Sequence, residues 1–230
     1  MQAVSTITGT ALPLARSDVD TDQIIPAHWL KRVERTGFGK GLFSHWREQD
    51  PDFPLNQDRF AGATVLIAGP NFGVGSSREH AVWSLVDYGF KAVVSPRFGD
   101  IFRNNATKTG LVPVVVEPEV GEMLLRAVET DPRLAITVDV ETRTISAPEI
   151  GLQASFPLDD FTRFRLMEGL DDIGLTLRHE AAIGAYEVHR PAWLPTRSAR
   201  SRSDGPSGHF RHEGEGHGGR DRGANRAVAR

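Results

Sequence analysis

Between Ala63 and Thr130 the chain alternates short apolar runs with stretches whose apolar residues recur at helical spacing. Ala63–Gly69 (ATVLIAG) is a brief β-branched run that predicts a strand. Glu79–Tyr88 follows with apolar residues at 81, 82, 85 and 86, the spacing by which a helix lays one face on a core. Lys91–Ser95 predicts the next strand, and Ile101–Thr109 a helix ended by Gly110. Leu111–Val116 predicts a buried strand. Glu117–Thr130 predicts a helix with Pro118 near its start, where a missing N–H costs nothing. Strand–helix–strand order of this kind builds a parallel sheet covered by helices. Leu134–Val140 and Arg143–Ala147 change to period two and predict a hairpin, which would make the sheet mixed. Phe161–Leu170 predicts a last clear helix, with Asp171–Gly174 as its stop. There are no internal repeats.

Composition narrows the class. The chain has 230 residues, of which 39% are hydrophobic and 25% charged, the balance of a globular protein. Its longest apolar runs fall far short of the ~20 residues a membrane helix needs. Met1–Gly9 is mixed and Thr-rich rather than a basic-then-apolar leader, so a cytoplasmic protein with no membrane partner is expected. There is no cysteine, which excludes a disulfide, a thiol nucleophile and thiolate ligands to an iron–sulfur cluster. Cluster chemistry would need another polypeptide.

The net charge of −3 hides a division. Thr196–Arg230 carries eight arginines against four acids, while the preceding 195 residues carry 19 basic against 26 acidic groups. The terminal stretch has seven glycines, a single aromatic (Phe210) and no apolar period. Too little apolar surface is available there to offset chain entropy, so residues 196–230 are expected to be a disordered tail behind a folded 1–195 domain. Its arginines would suit RNA and its three histidines a weakly held metal. Without aromatics interleaved to stack bases, a nucleic-acid role is disfavoured.

Residues 69–80 read Gly-Pro-Asn-Phe-Gly-Val-Gly-Ser-Ser-Arg-Glu-His, between a predicted strand and a predicted helix. A helix N-terminus there would present unpaired N–H groups and a positive dipole end to an anion. Gly73 and Gly75 permit close backbone approach, Ser76 and Ser77 supply hydroxyls, and Arg78 supplies a planar fork for carboxylate or phosphate. A serine N-cap would account for one of these residues and leave the others unexplained. The stretch has no Gly-Lys-Ser/Thr, and Arg78 stands where a dinucleotide fingerprint needs its third glycine. Asp18, Asp20 and Asp22 form a second cluster at period two. Three carboxylates would suit a hard cation, but no glycine turn or terminal glutamate follows, and a loop whose aspartates bond their own backbone is the simpler reading. His28-Trp29-Leu30-Lys31-Arg32 then mixes apolar and cationic groups, as a surface turn or a pocket wall would.

Three motifs stand in order: Asp20-Thr-Asp-Gln-Ile-Ile-Pro-Ala27, the Gly69–Ala81 segment, and Glu168-Gly-Leu-Asp-Asp-Ile-Gly-Leu-Thr-Leu177. With them the chain resembles, over about residues 1–194, the small subunits of 3-isopropylmalate dehydratase in the aconitase superfamily. Many members have Cys where this chain has Val74; that cysteine is not a cluster ligand. The resemblance implies an α/β fold like the swivelling β/β/α domain of aconitase, a mixed sheet with flanking helices. It implies a hydro-lyase of leucine biosynthesis that interconverts 2- and 3-isopropylmalate through 2-isopropylmaleate. The [4Fe–4S] cluster would belong to a large partner subunit, with none bound by this chain. By the same resemblance Ser76 would be the base and Asp22 part of the proton network. Ser77, Arg78 and Gly75 would hold a carboxylate of a small hydroxy diacid. Lys31 or Arg32 would meet the other carboxylate, and Trp29 with Leu30 would face the isopropyl group. His80 and Asn71 would stand behind them, a structural place at the helix start being the favoured reading for His80. Related dehydratase subunits for homoaconitate, citraconate or methyl-substituted malates remain alternatives, as do a nucleotide-binding regulator and an RNA-binding protein.

Overall fold

The computed structural model describes residues 1–31, 36–76 and 78–191. The strands are β1 Thr6–Gly9, β2 Ala11–Leu14, β3 Val65–Ala68, β4 Ala92–Ser95, β5 Val112–Val115, β6 Ile136–Asp139, β7 Thr144–Ala147 and β8 Leu152–Ser155. The helices are α1 Thr21–Ile24, α2 Ser44–Gln49, α3 Glu79–Tyr88, α4 Asp100–Thr109, α5 Pro118–Thr130, α6 Asp160–Glu168, α7 Asp172–Leu177 and α8 Glu180–Val188. Contacts divide the chain into Met1–Ile183, which holds both sheets, and Gly184–Arg230. The expected boundary at 195 and the 196–230 tail lie outside the described residues.

Parallel and antiparallel pairing are both present, but in two sheets rather than one. The first has the order β2-β3-β4-β5, all parallel; the second has the order β1-β6-β7-β8, all antiparallel. Burial explains the division. β2, β3 and β4 are buried at every position, as strands covered on both faces are, whereas β6 and β7 alternate buried and half-buried residues. α3 and α4 make the crossovers between successive parallel strands, and α5 packs across β2, β3 and β4.

Both outer strands of the parallel sheet contain a proline. Leu14 O accepts from Gly69 N and Thr10 O from Thr64 N, so even positions of β2 face β3 and Pro13 faces outward. Val112 N and Val116 N donate to Lys91 O and Ser95 O, so Pro113 likewise sits at an outward position of β5.

Asp171–Gly174 is not a stop. Gly169, at φ 67°, ends α6, and the Asp171 carboxylate accepts from Gly174 N to cap the start of α7. α7 escapes the periodicity because Ile173 and Leu177 are exposed and no apolar stripe is buried. Among the described residues no helix is long and apolar enough to cross a membrane.

Candidate active site

The loops leaving β2, β3 and β4 meet at the carboxyl ends of the parallel strands, the place where open α/β sheets commonly hold ligands. They are joined by backbone. Gly73 N and Val74 N donate to Val19 O at 2.8 and 3.2 Å, Thr21 N donates to Val74 O at 3.1 Å, and Phe72 N donates to Arg97 O at 3.0 Å. The fully buried Ser95, last residue of β4, places its hydroxyl 2.8 Å from both Gly69 O and Arg97 O. Short parallel bridges, Asp20 with Val74 and Phe72 with Phe98, extend the sheet pattern into these loops.

The glycines of the middle loop are required by its geometry. Gly73 has φ 73°, and a Cβ there would lie 2.3 Å from Phe102 Cγ. Gly75 has φ 88°, with space for a Cβ only at 3.3 Å from Asp20 Cβ. Ser76 is exposed at the crest of the loop. Among the described residues no serine caps α3. Arg78 holds the N-cap position in extended conformation, and its side chain makes no capping hydrogen bond to the first-turn N–H groups. The Arg78 guanidinium instead pairs with the Asp22 carboxylate. Their side chains are 20% and 52% exposed, so the pair sits at the rim, within reach of a ligand. Ser77 and Arg32 lie outside the described residues.

The three aspartates do not converge as a cation site would require. Asp20 caps α1: its carboxylate accepts from Gln23 N at 2.7 Å, while Gln23 Oε1 accepts from Asp20 N at 2.9 Å. Asp18, at φ 54°, accepts from Asn71 Nδ2 at 2.7 Å, and Asn71 is itself left-handed at φ 62°. Asn71 thus clamps the start of the Gly-rich loop to the β2 loop. Only Asp22 reaches Arg78. Among the described residues no group of three or more histidines, cysteines or acids could hold a metal ion.

Trp29, Leu30 and Lys31 lie in the turn Ala27–Lys31. Trp29 lies against Gly41, where an added Cβ would fall 2.5 Å from Trp29 Cδ2, and it packs on the edge of the core. Leu30 is half-buried and Lys31 exposed. His80 rests between aromatic rings, 4.6 Å from Trp83 and 5.4 Å from Phe38 by centroids. Burial holds its pKa below the ordinary histidine value; Glu79 opposes that shift and Arg78 adds to it. A neutral imidazole packed on rings suits support of the helix start. Sequence reasoning missed Thr21, which is 2% exposed and donates from Oγ1 to Ser76 O at 3.0 Å. The Asp20-x-x-Gln23 spacing was the available sign that this segment is a helix start and not an ion loop.

The cavity of ≈ 380 Å³ near the amino terminus is lined by Gln2–Ile7 and the ends of α3 and α4, and holds none of these residues.

Comparison with known proteins gives the family. Residues 1–119 match the family model of the aconitase C-terminal domain, and residues 172–197 match that of the C-terminal domain of the 3-isopropylmalate dehydratase small subunit. The small subunit of Parafrankia sp. (strain EAN1pec) is 63% identical over 196 residues, 85% of this chain and 99% of that one. That of Acidothermus cellulolyticus is 61% identical over 199 residues, 86% of this chain and 100% of the other. The crystal structure of 3-isopropylmalate dehydratase from Methanocaldococcus jannaschii superposes with a TM-score of 0.58 at 25% identity, covering 79% of this chain and 99% of that one. On the motifs, the fold and this extent of identity, the chain belongs to the 3-isopropylmalate dehydratase small-subunit family.

Proposed function

We propose that this chain supplies the proton-transfer and carboxylate-binding half of a 3-isopropylmalate dehydratase and is active only beside a large subunit. As the partner of a cluster-bearing chain it would take part in leucine biosynthesis in the cytoplasm, with 2- and 3-isopropylmalate as substrates. The partner's [4Fe–4S] cluster, when bound, acts as a Lewis acid on the departing hydroxyl. This chain has no cysteine with which to hold a cluster, and its own work lies at the loop after β3.

Dehydration removes a proton from one carbon and hydroxide from its neighbour; rehydration returns them with the positions exchanged. Ser76 Oγ is the base that takes the proton and gives it back. A serine hydroxyl is ordinarily far too weakly acidic for this. Its anion must be held by positive potential from the uncapped first turn of α3 and from Arg78, in a cleft that excludes water. Asp22 engages one arm of the Arg78 fork, and the other N–H groups serve a substrate carboxylate that Gly75 and Ser77 also hold. Asp22 thereby belongs to the same proton and charge network.

The observation that carries this reading is the exposure of Ser76 on a glycine-shaped turn directly before α3, beside a guanidinium held at the rim. Reconstitution with the large subunit tests it. Ser76→Ala should abolish turnover of isopropylmalate while leaving assembly of the pair intact. Undiminished turnover would remove Ser76 from the role of base, and turnover by this chain alone would overturn the division of labour.

A further inference from the structure

We infer that Thr21 is a positioning residue for Ser76: its buried hydroxyl holds the Ser76 carbonyl inward and so fixes the serine at the crest of the loop. The inference rests on Ser76 acting as the base. Three observations converge. Thr21 is 2% exposed, yet its Oγ1 donates to a residue that is itself exposed, at 3.0 Å. The Ser76 carbonyl therefore turns into the protein, leaving its side chain on the outer side.

The rest of the loop is tied differently. Up to Val74 it is held by side chains at its start, Asn71 to Asp18 and Ser95 to Gly69 O, and then by backbone through Val19 O and Thr21 N. Gly73 and Gly75 then take left-handed conformations, so the chain bends twice within three residues. A turn built from two glycines has wide freedom, and among the described residues the next side-chain anchor is the Arg78–Asp22 pair. Thr21 bridges that interval. It is itself held rigidly, as the first residue of a helix closed by the reciprocal Asp20–Gln23 cap.

The electrostatics give the bond a chemical purpose. A carbonyl oxygen turned toward the cleft would present negative charge to a substrate carboxylate and to an ionised serine. Directed at Thr21 Oγ1, it is neutralised by a donor and removed from the cleft. Without the hydroxyl, the carbonyl loses its partner in a buried place and is free to rotate outward toward water.

The test uses the complex reconstituted with the large subunit and steady-state kinetics on isopropylmalate, at matched complex concentration. Thr21→Val keeps the shape and removes the donor; kcat should fall about tenfold with KM within about twofold, because the loss falls on the transition state. Thr21→Ser keeps the donor and should stay within about threefold of the parent. If the valine variant does not assemble, Thr21→Ala against Thr21→Ser decides, since both lack the methyl and only one keeps the hydroxyl. Equal kcat for that pair, a parental kcat in Thr21→Val, or a loss confined to KM would overturn the inference. Ser76→Ala run in parallel separates the two readings. Its inactivity beside a normal Thr21→Val removes Thr21 alone, whereas an active Ser76→Ala removes the base.

Discussion

Ser84 and Ser95 offer a matched experiment on what holds the site together. Both are fully buried, and both hydroxyls make hydrogen bonds of 2.8 Å to backbone carbonyls. Their partners differ. Ser84 donates to Ala81 O, three residues back in its own helix, where the carbonyl also lies in the helical ladder. Ser95 donates across the sheet to Gly69 O, 26 residues away, and also approaches Arg97 O, which has a second donor in Phe72 N. In Ser95→Ala the buried Gly69 carbonyl loses its donor at a cost of about 2 kcal/mol. For a chain of this size that lowers Tm by about 4–8 °C. In Ser84→Ala the helix keeps its ladder and gains a better helix former, so the change should stay within about 0.5 kcal/mol. Differential scanning calorimetry on the two variants compares them directly. Equal melting temperatures would refute the claim that a buried side-chain bond between loops, and not burial of a hydroxyl as such, secures the strand ends.

Two further outcomes are expected. Gly73→Ala should lower the urea midpoint more than Gly75→Ala: both pay ~1–2 kcal/mol for a left-handed alanine, but only the first drives a Cβ into the buried Phe102 ring. Equal midpoints would show that the ring yields freely. His80, held below the usual histidine value chiefly by burial, gives a pH signature. As pH falls through 6.5 the unfolded chain takes up this proton before the folded chain does, so stability declines until the folded imidazole also protonates. Relative to His80→Gln, the parent should lose stability over that interval in urea titrations; parallel curves for the two would contradict the assignment.

The elements buried in the middle of the sheet were legible because burial leaves a sequence mark. Glu79–Tyr88 is helical over the predicted span, and the strands expected around Ala63–Gly69, Lys91–Ser95 and Leu111–Val116 lie within those runs. β1, β2 and β8 were not predicted. β1 and β8 bury one residue each and leave no apolar run, and β2 contains a proline that a sheet tolerates only at an edge. The Gly-rich loop could be read as a site because two glycines between a strand and a helix have few other uses. Thr21 could not be found in that way. Its importance depends on a contact 55 residues distant, and its motif advertised three carboxylates that fold in three directions. Trp29, an aromatic beside cations that suggested a pocket wall, has its ring against Gly41 on the edge of the core, a contact its own segment does not announce.

The prolines at 13 and 113 have a consequence for a polypeptide that must wait for a mate. Each removes the outward donor near the middle of a terminal strand, so neither flank can recruit a foreign β-segment into a growing ribbon. Unassembled copies are thus discouraged from polymerising through their most hydrophobic layer.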